Sequence, residues 1–154
     1  MFFKGYVETR NKKCIEKFKN RTDFKTYKQI KNLDEFAGIL SNDTILIDID
    51  DYEESEVLFE IVKNKHLQCR VLKTTRGKHF LFKNTNVEKC STHISLAIGI
   101  KADIKIGKNN SYSILKFDGK EREIIYDITE NEEADPLPKW MMPILSLIHI
   151  SEPT

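Results

Sequence analysis

Between Thr44 and Asp50 apolar and polar residues alternate, so that Ile45, Ile47 and Ile49 share one face of an extended strand and Asp48 and Asp50 share the other. The same period of two runs through Ile100–Ile106, where Ile100, Ala102, Ile104 and Ile106 oppose Lys101, Asp103 and Lys105. It recurs in His79–Lys83, where Phe80 and Phe82 leave His79 and Lys83 on the other side. Further strands are expected at Phe2–Glu8, Gln68–Thr74, Ser111–Phe117 and Arg122–Asp127, with turns at Arg76-Gly77, Gly107–Asn110 and Asp118-Gly119. After Asp50 the period changes. Asp51 is placed to cap a helix with Glu54 three residues on, and Val57, Leu58, Ile61 and Val62 follow at helical spacing. A short helix is expected over Leu33–Ile39. The pattern is that of an α+β (mixed α/β) domain.

A chain of 154 residues with 40% hydrophobic content can bury one core but hardly two. Residues 1–144 are therefore read as one domain, with the exit at Asp135-Pro136-Leu137-Pro138. The last ten residues, Leu145–Thr154, resemble a translated sequencing adapter; they are read as a non-native tail and set aside, and the natural protein is expected to have been cut near Ile144. No apolar run approaches the roughly 20 residues of a membrane span, and the first residues lack the apolar core of a secretory signal. Three cysteines without a C-x-x-C pair argue against a disulfide framework, so a reducing cytoplasm is expected.

The formal net charge is only +1, but its distribution is uneven. Arg10–Lys31 holds nine Lys/Arg against Glu16 and Asp23, interleaved with Phe18, Phe24 and Tyr27, which is the composition of a surface for single-stranded nucleic acid. An ordinary solvated face would have the same composition. Asp43–Glu60 carries eight carboxylates and no basic residue. If the three alternating strands are neighbours in one sheet, Asp48, Asp50 and Asp103 meet on one face, and carboxylates so gathered need cations. All-oxygen ligation favours Mg²⁺ or Mn²⁺, and two such ions serve phosphoryl transfer. Arg76, Lys78, His79 and Lys105 would then hold phosphates, with Gly77 allowing a tight turn. An Asp-x-Asp after an apolar run also occurs in sugar-nucleotide transferases, phosphatases and nucleases, although Tyr52 does not suit the phosphatase pattern.

Apolar-Asp-x-Asp at Ile47–Asp50, Gly77-Lys78-His79, and apolar-Asp at Asp103 with Lys105 resemble, in order, the three motifs of the archaeo-eukaryotic primase superfamily, closest to phage and plasmid primase-polymerase domains. The resemblance covers roughly Asp43–Asp127 in phrases such as TILIDIDD, KTTRGKHF and GIKADIKIG. It implies an RRM-like catalytic sheet packed with a smaller N-terminal α/β unit. It also implies that Asp48, Asp50 and Asp103 are catalytic metal ligands and that His79 contacts the phosphates of an incoming nucleotide. The expected activity is primer synthesis or extension on a single-stranded DNA template from nucleoside triphosphates, in phage or plasmid replication inside a bacterial host. A helicase domain is one candidate for a partner lost from the truncated C-terminus. Where many relatives show a Gly-rich turn and a Pro-x-Ser signature, this chain reads Gly107-Lys108-Asn109-Asn110-Ser111-Tyr112. The alternatives are a truncated or degenerate domain that binds nucleotide or single-stranded DNA without synthesis, and another Asp-x-Asp phosphoryl or glycosyl transferase. His66-x-x-Cys69 and Cys90-x-x-His93 have zinc-like spacing, but Cys69 opens an apolar strand, so a packed thiol is the favoured reading.

Overall fold

The computed structural model describes residues 1–144, and the expected tail at 145–154 lies outside the described residues. Two sheets with antiparallel strand pairing, two helices and a short 3₁₀ turn make an α+β fold. The first sheet has the order β10-β9-β3-β1-β2, built from β1 (Phe3–Arg10), β2 (Lys13–Cys14), β3 (Phe36–Leu40), β9 (Tyr112–Phe117) and β10 (Lys120–Glu121). The second has six strands in the order β11-β5-β6-β4-β8-β7, from β4 (Thr44–Ile49), β5 (Arg70–Lys73), β6 (Lys78–Lys83), β7 (Ser91–Ser95), β8 (Lys101–Ile106) and β11 (Ile124–Tyr126). Helix α1 is Tyr27–Ile30, α2 is Tyr52–Asn64, and the 3₁₀ turn is Lys139–Met141. Among the described residues no helix is long and apolar enough to cross a membrane.

Each face of the second sheet has its own cover. Ile45, Ile47 and Ile49 of β4 pack with Phe80, Phe82 and Ile104 against Leu58, Phe59 and Val62 of α2, which is the larger core. The opposite face contributes Leu46, Leu72 and Leu81, which meet Phe2 and Leu40 of the first sheet. Helix α2 starts where expected, since the Asp51 side chain accepts a hydrogen bond from the Glu54 amide at 2.9 Å. Its buried stripe is Ser55, Leu58, Phe59 and Val62; Val57 is exposed and Ile61 only half-buried, so the expected stripe is rotated by about one residue.

Leu33–Ile39 is not a helix. Phe36–Leu40 is β3, buried at every position between β1 and β9, and a run buried on both faces carries no alternation by which a strand could be told from a helix. The helix in this region is the single turn α1, capped by Thr26 and Gln29. Strand β7 was not expected either, because Ser91–Ser95 has almost no apolar residue and lies at a sheet edge. The Asp118-Gly119 turn does form: both residues have positive φ, of 53° and 77°, as a two-residue hairpin with right-handed strand twist demands.

Candidate functional site

Strand register gathers the site. Asp48 of β4 stands directly opposite His79 of β6 on one side and Asp103 of β8 on the other, so the three form one row across three adjacent strands. Residues paired in this way have alpha carbons about 4.5 to 5.5 Å apart and side chains on the same face. That face is turned towards the first sheet, not towards α2. A cleft of about 560 Å³ opens above the Asp48–Asp103 end of the row, walled by β9, the loop after β2 and the approach to β7 through Phe18, Tyr112, Lys105 and Cys90.

The two carboxylates have different partners. Asp48 Oδ2 lies 3.4 Å from His79 Nε2. Asp103 Oδ1 accepts a hydrogen bond from the His93 amide at 2.8 Å, which fixes its rotamer. The other oxygen of each, Asp48 Oδ1 and Asp103 Oδ2, has no protein donor among the described residues. His79 is buried, and its Nδ1 is sealed from solvent with no partner. An unpaired buried N–H costs more than an unpaired lone pair, which places the proton on Nε2, facing Asp48.

Burial pushes the pKa of Asp48 up, but the neighbouring His79 and the positive potentials of Lys105 and Arg122 outweigh it and hold the carboxyl below its ordinary range. Lys105 is pulled the other way: partial desolvation between the cleft walls lowers its pKa although the side chain remains exposed, and Asp48, Cys90 and Asp103 only partly restore it. Its Nζ donates to the Tyr112 carbonyl at 2.8 Å. Arg122, in the segment between β10 and β11, has its Nε donating to the Ile114 carbonyl at 2.7 Å, and its charge acts on Asp48. Burial lowers its pKa and Asp48 raises it. Sequence reasoning did not single out Arg122, because nothing near it in the chain marks it; only the packing of one sheet on the other brings it to Asp48.

The remaining expected residues divide. Asp50 stands two residues along the strand from Asp48, beyond the end of β4, with its carboxylate 2.7 Å from Arg76 and both side chains largely exposed. Gly77 is required at its position, because a Cβ there would run into the Ile49 carbonyl and crowd the Asp51 amide. The turn thus brings the second motif against the end of the first.

Lys78, expected beside His79 at the phosphates, points to the opposite face. It lies under α2, donating to Ser55 Oγ at 3.0 Å, paired with Glu56 at 3.2 Å and set over the Tyr52 ring. Strand alternation makes this unavoidable once His79 faces the first sheet. Lys78 is thus separated from the face that carries Asp48, His79 and Lys105.

Among the described residues no three His, Cys, Asp or Glu side chains stand together as a complete ion-holding group. Asp48 and Asp103 are cross-strand partners, and carboxylate oxygens of this kind would suit Mg²⁺ or Mn²⁺ rather than zinc; Asp50 would join them only after leaving Arg76. Cys69 is buried in the α2-side core, while Cys90 is exposed with Sγ 3.4 Å from Ser111 Oγ. In the basic segment, Lys12, Lys13, Lys17, Lys19, Lys25, Lys28 and Lys31 are exposed. Tyr27 packs edge-on against Tyr6 and Phe36, and Phe24 packs under Arg21; Phe18 lines the cleft. No family model matches the chain, and comparison with curated proteins and with solved structures finds no similar protein.

Proposed function

We propose that this chain is the catalytic domain of a metal-dependent nucleotidyltransferase of primase-polymerase type, which makes or extends a primer on single-stranded DNA from nucleoside triphosphates. The observation that carries the reading is the row His79–Asp48–Asp103, since three motifs widely separated in sequence meet across three adjacent strands on one cleft-lining face. Strand order supports it too. Counted from β4, with α2 after the first strand, β4, β5, β6 and β8 lie in the order 2-3-1-4, as an RRM-like sheet would have them.

In this reading Asp48 and Asp103 hold Mg²⁺ or Mn²⁺ through their free oxygens. The bound ions would neutralise phosphate charge and favour attack by a 3′-hydroxyl on the α-phosphate. His79 would reach a phosphate oxygen of the incoming nucleotide only by turning its Nε2–H away from Asp48, 3.4 Å off, and the cations Lys105 and Arg122 oppose the remaining phosphate charge. The exposed lysines of the N-terminal segment hold template phosphates without regard to sequence.

A binding-only domain is the second reading, and the observation in its favour is the Asp50–Arg76 pair, which leaves one expected ligand engaged elsewhere. Incorporation of labelled nucleotide opposite a single-stranded template, with Mg²⁺ or Mn²⁺, separates the two. Synthesis that disappears in Asp103→Asn supports the enzyme. Nucleotide binding without synthesis in any metal supports the second reading.

A further inference from the structure

The cleft above Asp48 has two chemically different ends. One carries Asp48, Asp103 and Lys105; the other is a pair of aromatic rings, Phe18 and Tyr112, set edge to face with centroids 5.1 Å apart. Each ring packs on one side against the first sheet's small core of Val7, Ala37 and Ile39, and each stays half-exposed on the cleft side. Lys105 joins the two ends, with Nζ 5.5 Å from the centre of the Tyr112 ring and its charge felt by both carboxylates.

Phe18 is held by more than its own packing. It belongs to an irregular loop, yet the buried Asn110 amide donates to the Phe18 carbonyl at 2.7 Å and to the Arg21 carbonyl at 3.0 Å. Lys19 Nζ adds a bond to the Asn109 carbonyl at 3.0 Å. A loop fixed at several points presents an ordered ring, so a ligand resting on it has little ordering left to do.

We infer that Phe18 and Tyr112 form the wall that receives the nucleobase of the incoming nucleotide, while its phosphates lie towards Lys105 and the carboxylates. This inference rests on the nucleotidyltransferase reading and adds to it the residues that hold the base. A cleft of about 560 Å³ is in the range of small-ligand sites. It favours a mononucleotide over a strand of template, for which the exposed lysines outside the cleft offer the longer track. Base–aromatic contacts tolerate any base, so the wall sets affinity without fixing base identity.

The test is equilibrium binding to the 154-residue chain of three probes in Mg²⁺: dATP, inorganic tripolyphosphate and a dT oligonucleotide. Phe18→Leu keeps an apolar side chain of similar size and removes the ring; Tyr112→Leu does the same across the cleft. Each variant is expected to weaken dATP by roughly five- to a hundredfold, while tripolyphosphate binds as before and so reports that the fold and the phosphate end survive. Tyr112→Phe should bind dATP like the parent. Unchanged dATP binding in both leucine variants overturns the base wall and leaves the nucleotidyltransferase reading standing. Selective loss of the oligonucleotide gives the wall to the template and also overturns it. If the parent chain binds neither dATP nor tripolyphosphate, the underlying reading fails as well.

Discussion

On the face of the six-stranded sheet turned to α2, Ile45, Ile47, Ile49, Phe80 and Phe82 are fully buried, whereas on the face turned to the first sheet the same strands carry Asp48, His79 and Asp103. The first arrangement is how a sheet is held together; the second is how it would be taken apart, unless something offsets the charge. Here the offset is local. Asp48 is surrounded by His79, Lys105 and Arg122, and Leu46, Leu72 and Leu81 move the apolar burden of that face towards the N-terminal sheet. One face is dominated by apolar packing and the other combines an apolar patch with a charged row, so substitutions in the packed residues and in the row should have separable effects.

Truncation on the helix side should do the greatest damage. Phe80→Ala is expected to cost about 3 to 5 kcal/mol in denaturant unfolding, and Ile47→Ala about 2 to 5 kcal/mol, because the packed sheet and helix cannot close the cavity. Lys78 and Arg76 sharpen the contrast, since they are two residues apart but one is buried under α2 and the other exposed in the turn before β6. Lys78→Ala removes a buried hydrogen bond and ion pair under α2 and should cost about 1 to 3 kcal/mol. The exposed pair Arg76–Asp50 should contribute under about 1 kcal/mol, so Arg76→Ala should melt like the parent. Asn110→Ala, which releases the Phe18 loop and leaves alanine at a φ of 59°, is expected to cost about 1 to 2 kcal/mol.

pH separates the faces with smaller effects and opposite signs. The folded pKa of Asp48 is depressed, so its contribution to stability is present above the unfolded value near 4 and is lost as acid protonates the folded carboxylate. Cys69 lies in the α2-side core, where burial pushes its thiol up to about 12. Its contribution is present below the ordinary thiol range and is lost as pH rises from about 9 towards 12, because only the unfolded chain ionises there. Cys69→Ala should flatten the alkaline limb of a stability–pH curve, and Asp48→Asn the acid limb. An alkaline limb unchanged in Cys69→Ala would mean that another group titrates there.

The sequence made some of this legible for a physical reason. Where one face of a strand is apolar and the other polar, the period of two is visible, and β4, β6 and β8 all have that form; their faces, the Asp51 cap and the glycine turn at Gly77 followed directly. Strand β3 did not, because burial on both sides erases the period, and β7 did not, because a polar edge strand has none. Lys78 shows a different failure. Proximity in a motif suggested one site, but the alternation already read for His79 sends its neighbour to the other face. Arg122 and the Phe18–Tyr112 pair were out of reach, since they depend on how the two sheets meet, and no local pattern encodes that.

The central claim is that the row at Asp48 is chemical and not structural, and Asp48→Asn tests it most directly. Asparagine keeps the volume and removes the charge, so the variant should still fold, with a melting temperature at neutral pH lowered only by the loss of the ionised carboxylate's contribution, and lose template-directed synthesis in both Mg²⁺ and Mn²⁺. Retained synthesis, or a loss of activity that only follows a loss of folded protein, would contradict the account.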